Sequence, residues 1–358
     1  MTAATSVGAM ASVVDEAGIH ELIEALRDDG RTVVAPTVRD GVIVPAEVTS
    51  AAALPIGWTD DQDGGHYRLE PTGTREHFAF ASPSTSWKRY LYPERTLLVR
   101  TTRTADTIEV EQPVPDDVAL AFVGIRSCDL AALDLLDRVF LAPDATDPTY
   151  AARRRDLFIV AVGCRHPGGT CFCASMDTGP SPTAGYDLAV TELHSADRHE
   201  FLIDVGSDRG ADLLARLDHR PATDDHLAAA GAGHEQAVAT MGRQLDPADP
   251  PLAARFPDHP QWDDVAARCL SCSNCTMVCP TCFCSSTEDT TSLIGDDASR
   301  WRVWDSCFTL DFSHLHGGSV RADTRSRYRQ WLLHKLVTWH DQFGSSGCVG
   351  CGRCITAC

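Results

Sequence analysis

The sequence predicts an α/β amino-terminal domain (α/β or α+β in class) with a parallel βαβ unit, followed by a smaller helical domain crowded with cysteines. Three observations carry that expectation. Residues 118–125 and 157–162 are continuous apolar runs, as strands buried on both faces require, and an amphipathic stretch lies between them. Residues 246–260 hold five prolines and read as a linker, placing the domains at 1–249 and 250–358. Beyond that linker stand two cysteine runs of one spacing, Cys269-x2-Cys272-x2-Cys275-x3-Cys279 and Cys348-x2-Cys351-x2-Cys354-x3-Cys358.

The elements follow in order. Residues 12–29 read as a helix, with Val14, Ile19, Leu22, Ile23 and Leu26 on one face and Gly30 after its end. Residues 32–34 and 42–44 read as short strands around Asp40-Gly41, a hairpin-type turn. Residues 55–93 read as irregular, and 97–102 and 107–112 as two further strands. The first buried strand breaks at Arg126-Ser-Cys-Asp129 into a helix carrying Leu130, Leu133, Leu136, Val139 and Phe140. The second ends at Gly163-Cys164. A helix between two such strands makes them parallel, so Cys128 and Cys164 belong at the same sheet end, the usual place for a site.

Residues 186–193 and 200–205 read as a closing hairpin, and 210–217 and 223–245 as helical. In the second domain the cysteine runs alternate with helical pattern. A last helix, residues 322–343, carries Tyr328, Trp331, Leu332, Leu336, Trp339 and Phe343 on one face. That stripe reads as core rather than as a cofactor contact.

Composition narrows the function. The formal net charge is −19, which argues against nucleic acid or an anionic membrane as partner. The charge is uneven, with −1 from Pro250 onward and −18 before it. The cysteine-rich end is therefore nearly neutral, which suits a docking surface. No run of about 18 apolar residues suggests a membrane span. The amino terminus lacks a basic n-region, so a secretory leader is not expected. Fifteen clustered cysteines without a leader point to metal ligation in a reducing, cytoplasmic setting.

Four cysteines within eleven residues, twice over, is the ligand spacing of a pair of 4Fe–4S clusters, in which the fourth cysteine of each run serves the other cluster. One cluster is expected on Cys269, Cys272, Cys275 and Cys358, the other on Cys348, Cys351, Cys354 and Cys279. Zinc favours two separated pairs and is the weaker fit. A third 4Fe–4S cluster is expected where Cys128 and Cys164 meet Cys171 and Cys173, though Cys171-x-Cys173 is a tight bite and one of the two reads as a bystander. Thr281-Cys-Phe-Cys284 repeats Thr170-Cys-Phe-Cys173, and Cys282, Cys284 and Cys307 read as packing near a cluster. His166 reads as a loop histidine. No Gly-x-Gly-x-x-Gly follows a strand and no phosphate-binding Gly-Lys loop is present, so neither nucleotide nor flavin binding is expected.

Arg126 to Phe140, Cys171 to Pro180, Cys269 to Cys284, Arg327 to Lys335 and Gly347 to Cys354 together resemble the iron–sulfur beta subunit of cytoplasmic sulfhydrogenases, which are nickel–iron hydrogenases. The related A subunit of anaerobic sulfite reductase shares the pattern. The resemblance covers roughly residues 95–358 and implies a wire rather than a catalyst. The implied partners are a flavin subunit handling NAD(P)H and the nickel–iron small and large subunits. Service to a sulfite or polysulfide reductase is the alternative, and a zinc-stabilised scaffold a second. The family continues past the final cysteine with Pro, which points to a truncated sequence here.

Overall fold

The computed structural model describes residues 11–358. Residues 1–10 of the stretch read for a leader lie outside them. An eight-stranded mixed sheet organises the first half. Its strands are β1 (Ser12–Val14), β2 (Thr32–Arg39), β3 (Val42–Glu47), β4 (Leu120–Arg126), β5 (Phe158–Val162), β6 (Leu188–Ser195), β7 (Arg198–Val205) and β8 (Arg220–Pro221). They run β8-β1-β7-β6-β5-β4-β2-β3 across the sheet. The central pairs β2/β4, β4/β5 and β5/β6 are parallel, and the flanking pairs are antiparallel. Between β4 and β5 the chain passes through α1 (Ser127–Phe140) and α2 (Pro148–Arg155).

Period-two alternation divides these strands between two cores. Val33, Val123 and Val160 face one, with Leu22, Ile23 and Phe201; Val34, Phe122 and Ile159 face the other, with Trp87, Leu133 and Tyr150. Each buried aliphatic or aromatic side chain of this kind contributes about 1.5–3 kcal/mol. A bulge interrupts β4 at Gly124, where the register to β5 shifts. Its φ is +91°, and a Cβ there would sit 2.8 Å from Pro36 Cδ, so only glycine fits.

The bulge precedes Arg126, which is 1 % exposed. Its guanidinium donates to the carbonyls of Phe78 (2.9 Å), Phe80 (2.6 Å) and Gly163 (2.9 Å). One side chain thus ties the 78–81 segment to the carboxyl ends of β4 and β5.

Several sequence expectations change. Within residues 55–93, Trp58–Asp63 and His66–Pro71 pair as a hairpin. The proline-rich stretch carries a short helix, Asp249–Arg255. The spacer between the cysteine runs was expected to be helical, yet it begins with an antiparallel hairpin, Ser285–Thr291 with Asp297–Trp304. The latter strand also pairs with Arg95–Arg103, so one four-stranded sheet joins segments from both sides of the proline-rich stretch. A run of Ser and Thr has no periodic apolar signal; its strand character comes from this distant ladder. The last helical segment is interrupted, with Thr324–Leu333, a π-helical turn at His334–Thr338 and Trp339–Phe343 in series. Among the described residues, no helix is long and apolar enough to cross a membrane.

Candidate metal centre

Cys269 caps the helix Gln261–Arg268, and Ser271 N–H donates to its Sγ at 3.4 Å. Ser271 and Ser273 adopt positive φ, +51° and +66°, which coils the run tightly. Asn274 Nδ2 donates to Ala357 O at 3.0 Å and fastens the carboxyl-terminal segment alongside. Burial pushes the Cys275 thiol up to about 12, with Cys358, Cys279, Cys269 and Cys272 as charged neighbours adding to it. Cys272 and Cys358 are exposed. This is the outer group.

The inner group is enclosed. Cys279, Cys348, Cys351 and Cys354 line a single cavity of about 240 Å³. Burial raises the Cys348 thiol to about 12, with Cys351 and Cys279 adding to it, and lifts the Cys354 thiol well above its usual range, with Cys279, Cys348 and Cys351 adding. Thiols that repel one another once ionised form a donor set that an iron–sulfur core relieves. Tyr328, Trp331, Leu332 and Leu336 form the cavity's other wall. The stripe read as core therefore faces the cysteines, because the second run folds back beneath it.

Charge surrounds this inner group. Lys335, in the π-helical turn, donates through Nζ to Thr281 Oγ1 at 2.7 Å. That hydroxyl bonds Gly347 O at 2.7 Å and lies 3.4 Å from Cys279 Sγ. Arg353 forms two 2.8 Å bonds to the Asp129 carboxylate, and both residues are almost wholly buried. Such a two-pronged pair is geometrically specific. It locks the second cysteine run to the first turn of α1.

A third group sits where β4 and β5 end. Cys128 opens α1, and its Sγ lies 3.3 Å from Ser82 Oγ. Cys164 follows β5. Burial raises the Cys171 thiol well above its usual range, with Cys164, Cys173 and Cys351 adding to it. Burial likewise pushes Cys173 up to about 12, helped by Cys164 and Cys351, and raises Cys128, helped by Asp129, Cys173 and Cys351. Both Cys171 and Cys173 thus belong to this neighbourhood.

The loop holding them docks on the second run. Phe172 N–H donates to Gly350 O at 2.8 Å, and Thr178 Oγ1 to Val349 O at 2.7 Å. A Cβ on Gly350 would lie 2.7 Å from the Cys173 backbone, and one on Gly352 would lie 2.5 Å from Thr170 Oγ1. Two glycines at positive φ let the groups approach this closely.

Sequence reasoning singled out twelve cysteines but not the cations and acid that hold them. Lys88, Lys335, Arg353 and Arg126 are charged residues that the sequence presents as ordinary surface. Their scarcity was the available signal for the lysines, since the chain has only two. His166, read as a loop histidine, contacts Glu76 Oε1 at 3.2 Å through Nε2.

Residues 268–358 match the family described as the 4Fe-4S dicluster domain. The chain is 29 % identical over 303 residues to the sulfhydrogenase 2 subunit beta of Pyrococcus furiosus, covering 82 % of this chain and 85 % of that protein. The resemblance read from the motifs therefore holds along most of the chain, with an iron–sulfur region at its carboxyl end.

Proposed function

We propose that this chain is an iron–sulfur electron-transfer subunit of a multi-subunit hydrogenase. In this reading it relays electrons between a flavin subunit that handles NAD(P)H and a nickel–iron catalytic subunit. The observation that carries the reading is the enclosed cavity walled by Cys279, Cys348, Cys351 and Cys354, lying beside the outer group Cys269, Cys272, Cys275 and Cys358. An all-thiolate donor set fits 4Fe–4S clusters, which supply one-electron steps when bound. The first three cysteines of each run, with the fourth of the other, would hold the pair. Cys128, Cys164, Cys171 and Cys173 would hold a third cluster.

The chain's own residues do the remaining work. Tyr328, Trp331 and Leu336 keep water from the inner thiolates. Lys335, through Thr281, places positive charge and a hydroxyl beside Cys279. Arg126 and the Arg353–Asp129 pair fix the distances between groups. Burial, charge and hydrogen bonding around sulfur are the means by which a protein sets cluster potential.

Metal analysis and EPR of the anaerobically purified chain test the reading. About eight irons per chain are expected from the cluster pair and about twelve with the third cluster. Stoichiometric zinc without iron would overturn it. Cys128→Ala should remove one spin system and leave the pair; an unchanged spectrum would remove the third cluster from the account.

A further inference from the structure

His77 is buried at 0 % exposure, and its Nε2 makes no hydrogen bond among the described residues. Its other ring nitrogen, Nδ1, lies 3.2 Å from Arg75 O. A carbonyl only accepts, so Nδ1 carries the proton and Nε2 keeps an unshared lone pair. A buried polar atom in that state calls for a water or an ion.

Two further donors face the same place. Glu16 and His20 stand four residues apart in the helix Glu16–Asp28, so both project from one face. Donor atoms of Glu16, His20 and His77 all lie within 4.8 Å of one another. Glu16 Oε1 is 4.0 Å from His77 Nε2, beyond hydrogen-bond reach. Ligands of one zinc ion, each about 2.0–2.2 Å from it, stand about 3.4 Å apart. Small side-chain rotations therefore close the set. Arg75 Nη2 also donates to Glu16 Oε1, at 2.6 Å, but the Arg75 side chain is 74 % exposed. Exposed pairs of this kind are weak and screened, so a metal ion displaces the guanidinium.

The His77 ring is held from behind. Both oxygens of the Glu192 carboxylate accept backbone N–H groups, that of His77 at 2.7 Å and that of Phe78 at 2.9 Å. His199 Nε2 adds a contact to Glu192 Oε1 at 2.8 Å. His77, Glu192 and His199 also converge, but Glu192 is engaged through both oxygens and acts as support. A histidine whose second nitrogen and backbone are fixed in this way is oriented before any metal arrives.

We propose that Glu16, His20 and His77 bind one divalent transition-metal ion, zinc by preference, with water completing its coordination. Two imidazoles and a carboxylate form a three-ligand set that zinc accepts while keeping a position open. Zinc exceeds ferrous iron in affinity for such donors. None of the three residues belongs to a cysteine group, so the inference goes beyond the electron-transfer reading and does not depend on it. The ion joins the helix Glu16–Asp28 to the segment that leads into Phe78, whose carbonyl accepts from Arg126.

The test exposes the anaerobic, iron-loaded full chain to zinc, removes the excess by gel filtration, and compares wild type with His20→Ala and Glu16→Gln. Zinc analysis is paired with zinc K-edge absorption. Cysteine-bound zinc shows sulfur at about 2.3 Å, whereas this site shows only nitrogen and oxygen at about 2.0–2.2 Å. The proposal expects about one such zinc per wild-type chain, its loss from both variants, and cluster EPR signals unchanged throughout. Alanine is the strongest helix former, so His20→Ala keeps the helix. Should a variant misfold, the wild-type spectrum decides alone: two imidazoles and no sulfur support the site. Wild type that retains no zinc, zinc bound by sulfur alone, or folded variants that keep their zinc would each overturn the proposal. Zinc bound here in a chain that takes up no iron supports the site and refutes only the electron-transfer reading.

Discussion

The outer and inner cysteine groups share one spacing and differ in nearly everything around it. The outer group has two exposed cysteines, Cys272 and Cys358. The inner group lines a cavity, with Lys335 hydrogen-bonded through Thr281 and the Arg353–Asp129 pair behind it. Ligand spacing therefore specifies which cluster type can be held, while burial and neighbouring charge decide how it behaves. In the proposed relay, the outer group is the exchange point with a partner and the inner group is the protected store.

The comparison breaks most readily at the Arg353–Asp129 pair. Asp129→Asn leaves a buried guanidinium unpaired, and the expected loss of stability is about 3–5 kcal/mol. Thermal denaturation of the iron-loaded protein measures it. The inner and third groups should lose iron before the outer one, reversing the wild-type order.

Next in size is Gly352→Ala. The φ of +78° and the 2.5 Å approach to Thr170 Oγ1 oppose any side chain. The backbone strain alone costs about 1–3 kcal/mol, read as a lowered melting temperature together with weakened inner-cluster EPR. The outer group makes no such approach, so a substitution at exposed Leu270 should leave both observables unchanged.

Lys335→Met sharpens the contrast electrostatically. At ~7 Å and an effective dielectric near ~20, one charge is worth about 2 kcal/mol, equivalent to about 100 mV for one electron. Removing it disfavours the reduced state, so the inner cluster's potential falls. The smallest effect concerns access. With a mild chelator, wild type should lose outer-group iron a few-fold faster than inner-group iron, followed by the decay of each EPR signal.

Much of the site was legible because ligand spacing is local. Cys269 to Cys279 and Cys348 to Cys358 announce their chemistry within eleven residues each. The strands carrying Cys128 and Cys164 were legible too, as continuous apolar runs. What stayed hidden depends on distant partners. The Ser285–Thr291 hairpin has no apolar alternation and owes its place to Arg95–Arg103 across the sheet. The aromatic stripe at Tyr328 and Trp331 shows the correct period, but periodicity does not say whether the buried face meets a core or a cysteine-lined cavity. Lys335 reads as a surface charge until the π-helical turn aims it inward. Arg353 and Asp129 are 224 residues apart, and nothing local couples them.

An EPR-monitored reductive titration of the anaerobic full chain, run on wild type and Lys335→Met, tests the central claim most directly. The account predicts separate signals for the two paired clusters, the inner one titrating at the higher potential in wild type. In the variant the inner potential falls while the outer stays in place. Two clusters that titrate together, or that shift together on loss of Lys335, would contradict it.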